Sequence, residues 1–332
     1  MNTAETEVFS SNEISLLQQE DVTESGYSHS PFIEANTIES SLEEIREKHI
    51  IPAFAKDNEP LISHPDFIDT TMQVVAMTYP TETILTPNIR LSHEIKGRVP
   101  EAKNKPANEL LEREKTLYYE RMAFVIEIPS ITSDVGGNTL SLMVGGVKSY
   151  SLDNLYSKNG SEQHFKIFIG FQNRVCTNLC VWSDGAMLEL KVKSKGELMG
   201  CIRHLVESYN PQHHTFHLKE LCNYGLTEEQ FAHLVGKCRM YPHLPPKMKQ
   251  EIPALLLGDQ QMNTVVKDFY KDDSFCRNED GTINLWRLYN LFTGANKSTY
   301  INLFAEKSVN AFSFVYAIKQ ALQHRANNWY LT

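Results

Sequence analysis

The sequence predicts an α+β protein, with a central antiparallel sheet flanked by helices and a helical C-terminal region. Three observations support this fold class. Apolar residues have helical spacing before residue 80, strand-like segments fill the middle of the chain, and helical spacing returns after residue 195. We therefore divide the 332 residues into a disordered acidic tail (1–44), an α+β core domain (45–240) and a helical region that packs on the core (241–332).

Composition and charge narrow the class of protein further. Residues 1–44 hold ten Asp or Glu and no Lys or Arg, and the rest of the chain holds 31 acidic and 32 basic residues. The acidic balance therefore describes the tail and does not exclude a nucleic-acid partner. No run of eighteen apolar residues and no signal peptide occurs, and six scattered cysteines are typical of reduced thiols. These features predict a cytoplasmic protein with no membrane association.

The first elements are a helix and a hairpin. Phe67, Thr71, Val74 and Val75 share one helical face that ends before Pro80. The alternation in KTLYYERMAFVIEIP predicts a strand, and the turn SDVGGN leads to a second strand, TLSLMVGGVKSYSL. The glycines of both VGG pairs suit hairpin turns better than a phosphate-binding loop, because neither GxGxxG nor a P-loop lysine is present.

Two further strands and a set of helices follow. The strands are HFKIFIGFQNRVCTNLCVW and GAMLELKVKSK. Helical spacing in GELMGCIRHLVESYN places Leu198, Ile202, Leu205, Val206 and Tyr209 on one face. A later segment, TEEQFAHLVGKCRMY, opens with a Thr-x-x-Gln arrangement that resembles a capping box.

The third strand carries the most informative polar residues. If it runs unbroken, its odd positions form an apolar core face, and its even positions carry Phe168, Arg174, Asn178 and Trp182. Such an even face would hold phosphates and stack bases. The alternative is that helices cover this face and Arg174 pairs with a carboxylate. Cys176 and Cys180 would lie too far apart on one strand to share a zinc ion, so we interpret them as buried thiols.

A basic loop precedes the hairpin and is the second candidate for phosphate binding. Lys96, Arg98, Lys103 and Lys105 fall within ten residues, and Arg121 follows beside two tyrosines. A solvated loop without a ligand is the alternative, with Arg121 in a cross-strand ion pair.

No motif predicts a metal, a cofactor or a catalytic residue. His213 and His217 are four residues apart and would share a helical face, but the glutamate of a zinc-protease motif is missing and the run follows Asn-Pro. We therefore predict no metal site and no cofactor.

Two blocks of residues resemble known families. RLSHEIKGRVPEAKNKPANELLEREKTLYYERMAFVIEIP is similar to the signature of an uncharacterised domain family from Bacteroidetes genomes and their mobile elements, a resemblance that extends over nearly the whole chain after the tail. RVCTN and the later NLWRLYNLFTG resemble, more distantly, the phage/plasmid-like family of unknown function, although one valine stands where that family usually has two. Trp286, Tyr289 and Asn290 belong to the second of these motifs. The resemblance implies that Arg174, Cys176 and Asn178 meet Tyr289 and Asn290 in one site.

Three hypotheses about function follow. The first is a non-enzymatic protein of a phage, plasmid or conjugative element that binds single-stranded or recombining DNA, a context that the resemblance implies. In this hypothesis Lys96, Arg98, Lys103, Lys105 and Arg121 hold phosphates. The second is an enzyme with a polar, metal-assisted pocket around Arg174, Cys176, Asn178 and Asn290. The third is an assembly protein without a ligand that forms homo-oligomers.

Overall fold

The centre of the computed structural model, which describes residues 31–48, 61–153, 162–181 and 186–332, is a seven-stranded antiparallel sheet. The sheet order is β1-β2-β5-β6-β7, and β8 and β9 pair with successive parts of the remaining edge of β7. Two small sheets, β3-β4 and β10-β11, complete the strands of the described residues. The strands are Ile38–Ser40 (β1), Asn88–Leu91 (β2), Glu94–Arg98 (β3), Lys115–Tyr119 (β4), Arg121–Val135 (β5), Asn138–Ser149 (β6), Gln163–Asn173 (β7), Leu179–Val181 (β8), Met187–Val192 (β9), Gly225–Leu226 (β10) and Ile283–Asn284 (β11).

Helices precede and follow the large sheet, so the predicted α+β fold class is confirmed. In the parts of the chain that the structure describes, no helix has the length and apolar character needed to cross a membrane. The helices are Leu42–Lys48 (α1), His64–Thr78 (α2), Lys195–Ser208 (α3), Pro211–Leu221 (α4), Glu228–Met240 (α5), Pro246–Gln250 (α6), Asp259–Lys271 (α7), Leu285–Asn296 (α8) and Ile301–His324 (α9).

Local sequence explains where several helices begin and which side they bury. The Ser63 hydroxyl accepts a hydrogen bond from the Asp66 amide at the start of α2, and Thr227 caps α5 with Gln230 in the predicted capping box. The four apolar or small residues predicted on one face of α2 are all buried, as are four of the five predicted for α3. The fifth, Tyr209, follows the last residue of α3 and is partly buried. The helical period of the sequence therefore identified the core-facing sides correctly.

Helices cover both faces of β7. The ring of Phe165 lies 4.9 Å from that of Phe67 on α2, between centroids, whereas the neighbouring Lys166 reaches α9, where its Nζ donates to the Asn302 carbonyl at 3.0 Å and pairs with Glu306. Because adjacent strand residues point to opposite faces, α2 and α9 sandwich the strand. The prediction of an open even face is therefore wrong, and Phe168, which is fully buried, is not available to stack on a base.

The two glycine pairs have different roles. Gly136 and Gly137 have φ values of 56° and 82° and form the turn between β5 and β6, as predicted. Gly145 and Gly146 lie inside β6 instead, where a Cβ at either position would approach within 2.5 Å of an aromatic ring, that of Phe168 or Phe67. The second pair therefore allows rings to pack directly on the sheet backbone, which corrects the prediction of a turn.

The prediction of a disordered acidic tail over residues 1–44 is wrong for residues 31–44. Phe32 and Ile33 are buried, and β1 pairs with β2 at the edge of the sheet. Residues 31–44 therefore contribute to the core, whereas residues 1–30 lie outside the described residues. The division of the chain near residue 240 stays a prediction.

A buried ion pair lies at the end of β6. Lys148 Nζ is 3.0 Å from Asp153 Oδ2, and the two side chains are 0% and 1% exposed. The same ammonium lies 3.9 Å from the ring centroid of Phe165, and Asp153 Oδ1 accepts a hydrogen bond from the His164 amide. Burial lowers the pKa of Lys148 although Asp153 opposes this shift. The pair is thus enclosed by protein groups rather than solvated.

Candidate functional site

The RVCTN segment forms a tight turn rather than the middle of a strand. β7 ends at Asn173, the Asn173 amide donates to the Asn178 carbonyl at 3.0 Å, and β8 then returns antiparallel along β7. Thr177 has φ of 55°, a left-handed conformation that the reversal requires. The prediction of one strand through residue 182 is therefore wrong, and the odd and even faces assigned beyond Asn173 do not apply. Trp182 lies outside the described residues.

The RVCTN and NLWRLYNLFTG segments meet through a pair of buried asparagines. Asn178 Nδ2 donates to the Asn290 carbonyl at 3.0 Å, and Asn290 Nδ2 donates to the Trp286 carbonyl at 3.0 Å inside α8. Asn178 is 4% exposed and Asn290 1%. Trp286 Nε1 in turn donates to Asn138 Oδ1 in the β5–β6 turn, also at 3.0 Å. We call this set the asparagine joint; it ties α8 to two turns at one end of the sheet.

Lys297 extends the asparagine joint at the end of α8. Its Nζ donates to the Cys176 carbonyl and, at 3.0 Å, to Thr177 Oγ1. Its carbonyl accepts hydrogen bonds from the amides of Glu34 and Ala35. One lysine thus links the RVCTN turn to the first described residues of the chain.

The chemistry of the asparagine joint is that of a structural contact. Burial raises the pKa of the Cys176 thiol to about 11, so this cysteine is a neutral thiol near neutral pH and a poor nucleophile. Burial also raises the pKa of Tyr289, whose side chain is fully enclosed. The side-chain amides of Asn178 and Asn290 both donate to backbone carbonyls of α8, so they already bind protein groups. The predicted meeting of the two blocks is observed, but these contacts favour packing over catalysis.

Arg174 also binds protein groups. Its Nη2 donates to the Pro129 carbonyl at 2.5 Å, and its Nε lies 3.9 Å from Glu127 Oε1. Both partners lie on β5 near the register shift between Ile128 and Thr132. This is the alternative considered from the sequence, in which the arginine pairs with a carboxylate.

The predicted basic loop forms the β3–β4 hairpin and is close to neutral. Between Glu94 and Arg121 it holds seven basic and six acidic residues. Lys105 pairs with Glu114, and this hydrogen bond lowers the pKa of the Glu114 carboxyl. Arg98 donates to the Lys105 carbonyl. These two cations are therefore held by the hairpin itself.

Two cations of the hairpin remain accessible to a ligand. Lys96 is 77% exposed although its Nζ lies 3.0 Å from Glu94. Lys103 is exposed and makes no ion pair with any of the described residues. Exposed pairs such as Lys96–Glu94 contribute little free energy and exchange readily for another anion.

A pocket of about 300 Å³ opens beside this hairpin, and Arg121 is its most distinctive residue. Arg121 Nε is buried and has no hydrogen-bond acceptor among the described residues. The Arg121 amide donates to Ser92 Oγ at 3.1 Å, and the nearby His93 Nε2 lies 2.9 Å from Asn36 Oδ1. Tyr300, 61% exposed, stands at the rim. The lining residues are Ala35, Asn36, Thr37, Ser92, His93, Ile95, Glu120, Arg121, Tyr300 and Ile301.

This pocket combines a partly buried cation, whose Nε is buried, with apolar, aromatic and polar lining residues. A guanidinium whose N–H group lacks an acceptor matches a phosphate or carboxylate oxygen, which supplies the acceptor. Sequence reasoning identified Arg121 but missed its neighbours, because they come from three distant parts of the chain. Ser92, His93, Ile95 and Glu120 lie within the family signature block, and no spacing rule connects them with Asn36 or Tyr300.

The histidine segment lies in α4, and its three histidines differ in environment. His214 is fully buried, its Nδ1 lies 2.6 Å from the Tyr209 hydroxyl, and burial lowers its pKa to about 3. His214 is therefore a neutral core residue. His213 and His217 share one side of the helix, with their Nε2 atoms 3.1 Å apart. His213 is exposed, whereas the His217 side chain is 15% exposed. Asn210 caps α4, so His213 and His214 lie in the first turn of the helix.

The fold and the candidate site define a class: an α+β protein with a large antiparallel sheet, an arginine pocket beside a charged hairpin, and C-terminal helices locked to the sheet by buried amides. The family model described as "Domain of unknown function, B. Theta Gene description (DUF3871)" matches residues 16–331. The chain therefore belongs to this family. No curated protein and no solved structure matches it.

Proposed function

We propose that the protein binds single-stranded or recombining DNA without catalysing a reaction, and that the Arg121 pocket together with the β3–β4 hairpin forms its contact surface. The observation that carries the proposal is the buried Arg121 Nε, which lacks an acceptor and lines an open pocket. Leaving a buried charged donor without an acceptor is costly, so an anionic ligand that supplies one binds with a corresponding gain.

The surroundings of Arg121 favour a nucleotide over a simple inorganic anion. Tyr300 offers an exposed ring at the rim, and base–aromatic stacking contributes about 1–3 kcal/mol per base in proteins that bind single strands. Lys96 and Lys103 lie on the same hairpin as the lining residue Ile95, Lys96 on the opposite face of β3 and Lys103 in the loop. A strand with one phosphate on Arg121 and a base on Tyr300 would continue past these two lysines.

The proposed surface is smaller than the one the sequence predicted. It keeps Lys96, Lys103 and Arg121. Arg98 and Lys105 support it by holding the hairpin loop, whereas Phe168, Arg174 and Asn178 are occupied in the core or in the asparagine joint. We also propose, on the resemblance alone, a cytoplasmic protein of a mobile genetic element.

Salt dependence tests the proposal. Three phosphate contacts to a single strand predict that log K falls with log salt concentration with a slope of about −2, since each contact contributes about −0.7. Arg121→Gln is expected to weaken binding of a fluorescent oligonucleotide and to reduce the slope by about 0.7. Fluorescence anisotropy over a series of salt concentrations measures both quantities.

The matched control removes the same charge elsewhere. Lys271 is exposed at the end of α7, so Lys271→Gln changes the net charge equally and should leave the slope unchanged. Tyr300→Ala should weaken binding without altering the slope, because it removes stacking and no charge. The proposal fails if the unmodified protein does not bind oligonucleotide at low salt, or if Arg121→Gln and Lys271→Gln behave alike.

A further inference from the structure

One side of α4, adjoining α9, carries a group of side chains that the proposed function does not use. His213 Nε2 and His217 Nε2 are 3.1 Å apart, His217 Nδ1 lies 3.2 Å from Glu220 Oε2, and Glu220 Oε1 lies 3.0 Å from Lys319 Nζ on α9. The chain of contacts runs from an exposed histidine to a lysine that is 2% exposed. From these contacts we propose that His213 and His217 bind one divalent transition-metal ion, with Glu220 holding His217 in the binding orientation.

The separation of the two nitrogens matches that of two ligands on one metal ion. A Zn–N bond of about 2.0–2.1 Å and an N–Zn–N angle between 90° and 110° place two imidazole nitrogens about 2.8–3.4 Å apart. The observed 3.1 Å falls within this range. The spacing of four residues on a helix, noted from the sequence, creates this proximity because such residues lie one above the other on the same face.

The proton arrangement also suits a metal. An ionised carboxylate only accepts hydrogen bonds, so the Glu220 contact assigns the proton of neutral His217 to Nδ1 and leaves a lone pair on Nε2. Without metal, His213 Nε2 donates to that lone pair. A metal would bind the other tautomer of His213, which carries its proton on Nδ1 and a lone pair on Nε2.

Glu220 corresponds to the outer partner that most metal-bound histidines have. A carboxylate on the distal nitrogen of a histidine ligand fixes its tautomer and its ring orientation. Glu220 is itself fixed by Lys319, and the His217 ring packs edge-on against Tyr316 at 5.3 Å between centroids. His217 is therefore held between α4 and α9 before any ion binds.

The ligand set selects the class of metal. Imidazole suits Zn²⁺, Ni²⁺ and Cu²⁺, and the Irving–Williams order favours Cu²⁺ over Zn²⁺ and Mn²⁺. Among the described residues no cluster of three or more His, Cys, Asp or Glu has the geometry of a metal site. Water would complete the coordination on the exposed side of His213, so the site is open rather than a closed structural one.

Titration of the full-length protein with ZnCl₂ alone, after treatment with a chelator, tests the proposal. Isothermal titration calorimetry should show one Zn²⁺ per chain, and His213→Gln should weaken its affinity at least tenfold. His233→Gln is the control, because His233 is exposed on α5 and has no histidine partner four residues away; it should leave the affinity unchanged.

Glu220→Gln distinguishes a built site from a pair of histidines that chelates adventitiously. Loss of this outer carboxylate should weaken Zn²⁺ binding by about 10–100-fold. Circular dichroism and thermal unfolding establish that each variant is folded, and Glu220→Asp provides a second, conservative variant with intermediate affinity. Wild-type affinity in His213→Gln or in Glu220→Gln overturns the proposal. Neither result bears on DNA binding, which is measured with the Arg121 variants.

Discussion

Asp153→Asn is expected to lower the free energy of unfolding by about 3–5 kcal/mol, because it leaves the ammonium of Lys148 buried without a counter-charge. Asparagine has nearly the shape of aspartate and keeps an oxygen for the His164 amide, so the change removes the charge and little else. Urea denaturation followed by circular dichroism measures the loss at neutral pH.

The pH dependence of the same variant follows from the direction of the Lys148 shift. Burial lowers the pKa of Lys148 in the folded protein, so the unfolded chain binds more protons at this residue and stability rises with pH. Loss of Asp153 lowers that pKa further. The deficit of Asp153→Asn should therefore shrink as the pH rises from about 7 towards the ordinary lysine pKa of about 10.4.

A double variant is the control for the buried pair. In Lys148→Met with Asp153→Asn, an apolar side chain of similar length packs on the Phe165 ring, and no charge is buried. Such replacements are often neutral, so the double variant should regain most of the lost stability. If it is as unstable as the single variant, the hydrogen bonds of Asp153 rather than its charge account for the loss.

Trp286→Ala is expected to lower the free energy of unfolding by about 3–5 kcal/mol. The indole is 1% exposed, and its removal leaves a cavity beside the β5–β6 turn and takes the donor from Asn138 Oδ1. The fit there is tight, since a Cβ on Gly136 would lie 2.4 Å from Trp286 Cδ1. Chemical denaturation measures the loss.

Two further measurements separate packing from ligand binding. Trp286→Phe keeps an aromatic ring and removes the hydrogen bond to Asn138, so it should lose less stability than Trp286→Ala. Under conditions in which they remain folded, both variants should bind oligonucleotide as the unmodified protein does. Among the described residues, the Trp286 side chain donates its hydrogen bond to Asn138 and not to a residue of the proposed contact surface. A loss of affinity in folded Trp286→Phe would instead place the asparagine joint in the binding site.

The asparagine joint gives the polar residues of the RVCTN and NLWRLYNLFTG segments a structural role. Asn178 and Asn290 donate to backbone carbonyls of α8, where the helix crosses the β7–β8 turn, so their own buried amides are satisfied. Each asparagine amide has two donors and one acceptor, so few other side chains replace it at such a crossing. A polar string in a sequence can therefore mark a buried contact between distant segments as readily as a catalytic site.

Several elements followed directly from local patterns. The buried faces of α2 and α3, the capping box of α5 and the Gly136–Gly137 turn were predicted because each depends on residues only a few positions apart. The β7–β8 turn was missed because the RVCTN segment contains no glycine or proline. The chain reverses instead through Thr177 in a left-handed conformation. That conformation is uncommon for a residue with a branched Cβ, so no turn rule predicts it.

The candidate functional sites were likewise only partly visible in the sequence. The i, i+4 histidine pair was visible in the sequence, but its outer partners Glu220 and Lys319 and the 3.1 Å separation were not. Arg121 was singled out as a cation, whereas its pocket depends on residues from positions 36, 92 and 300. The sequence identified Lys105 and Arg174 as cations. It could not show that Glu114 pairs with Lys105, or that the Pro129 carbonyl accepts a hydrogen bond from Arg174.

By itself, the sequence determined the fold class, the buried faces of α2 and α3, the β5–β6 hairpin and the residues that could act as cations or metal ligands, because these depend on local spacing and side-chain chemistry. Only the tertiary structure decided that helices cover both faces of β7, that the two family blocks form a buried joint, and that Arg121 opens onto a pocket. Those outcomes depend on contacts between residues more than a hundred positions apart, such as Asn178 with Asn290 and Lys166 with Asn302, which no periodicity records.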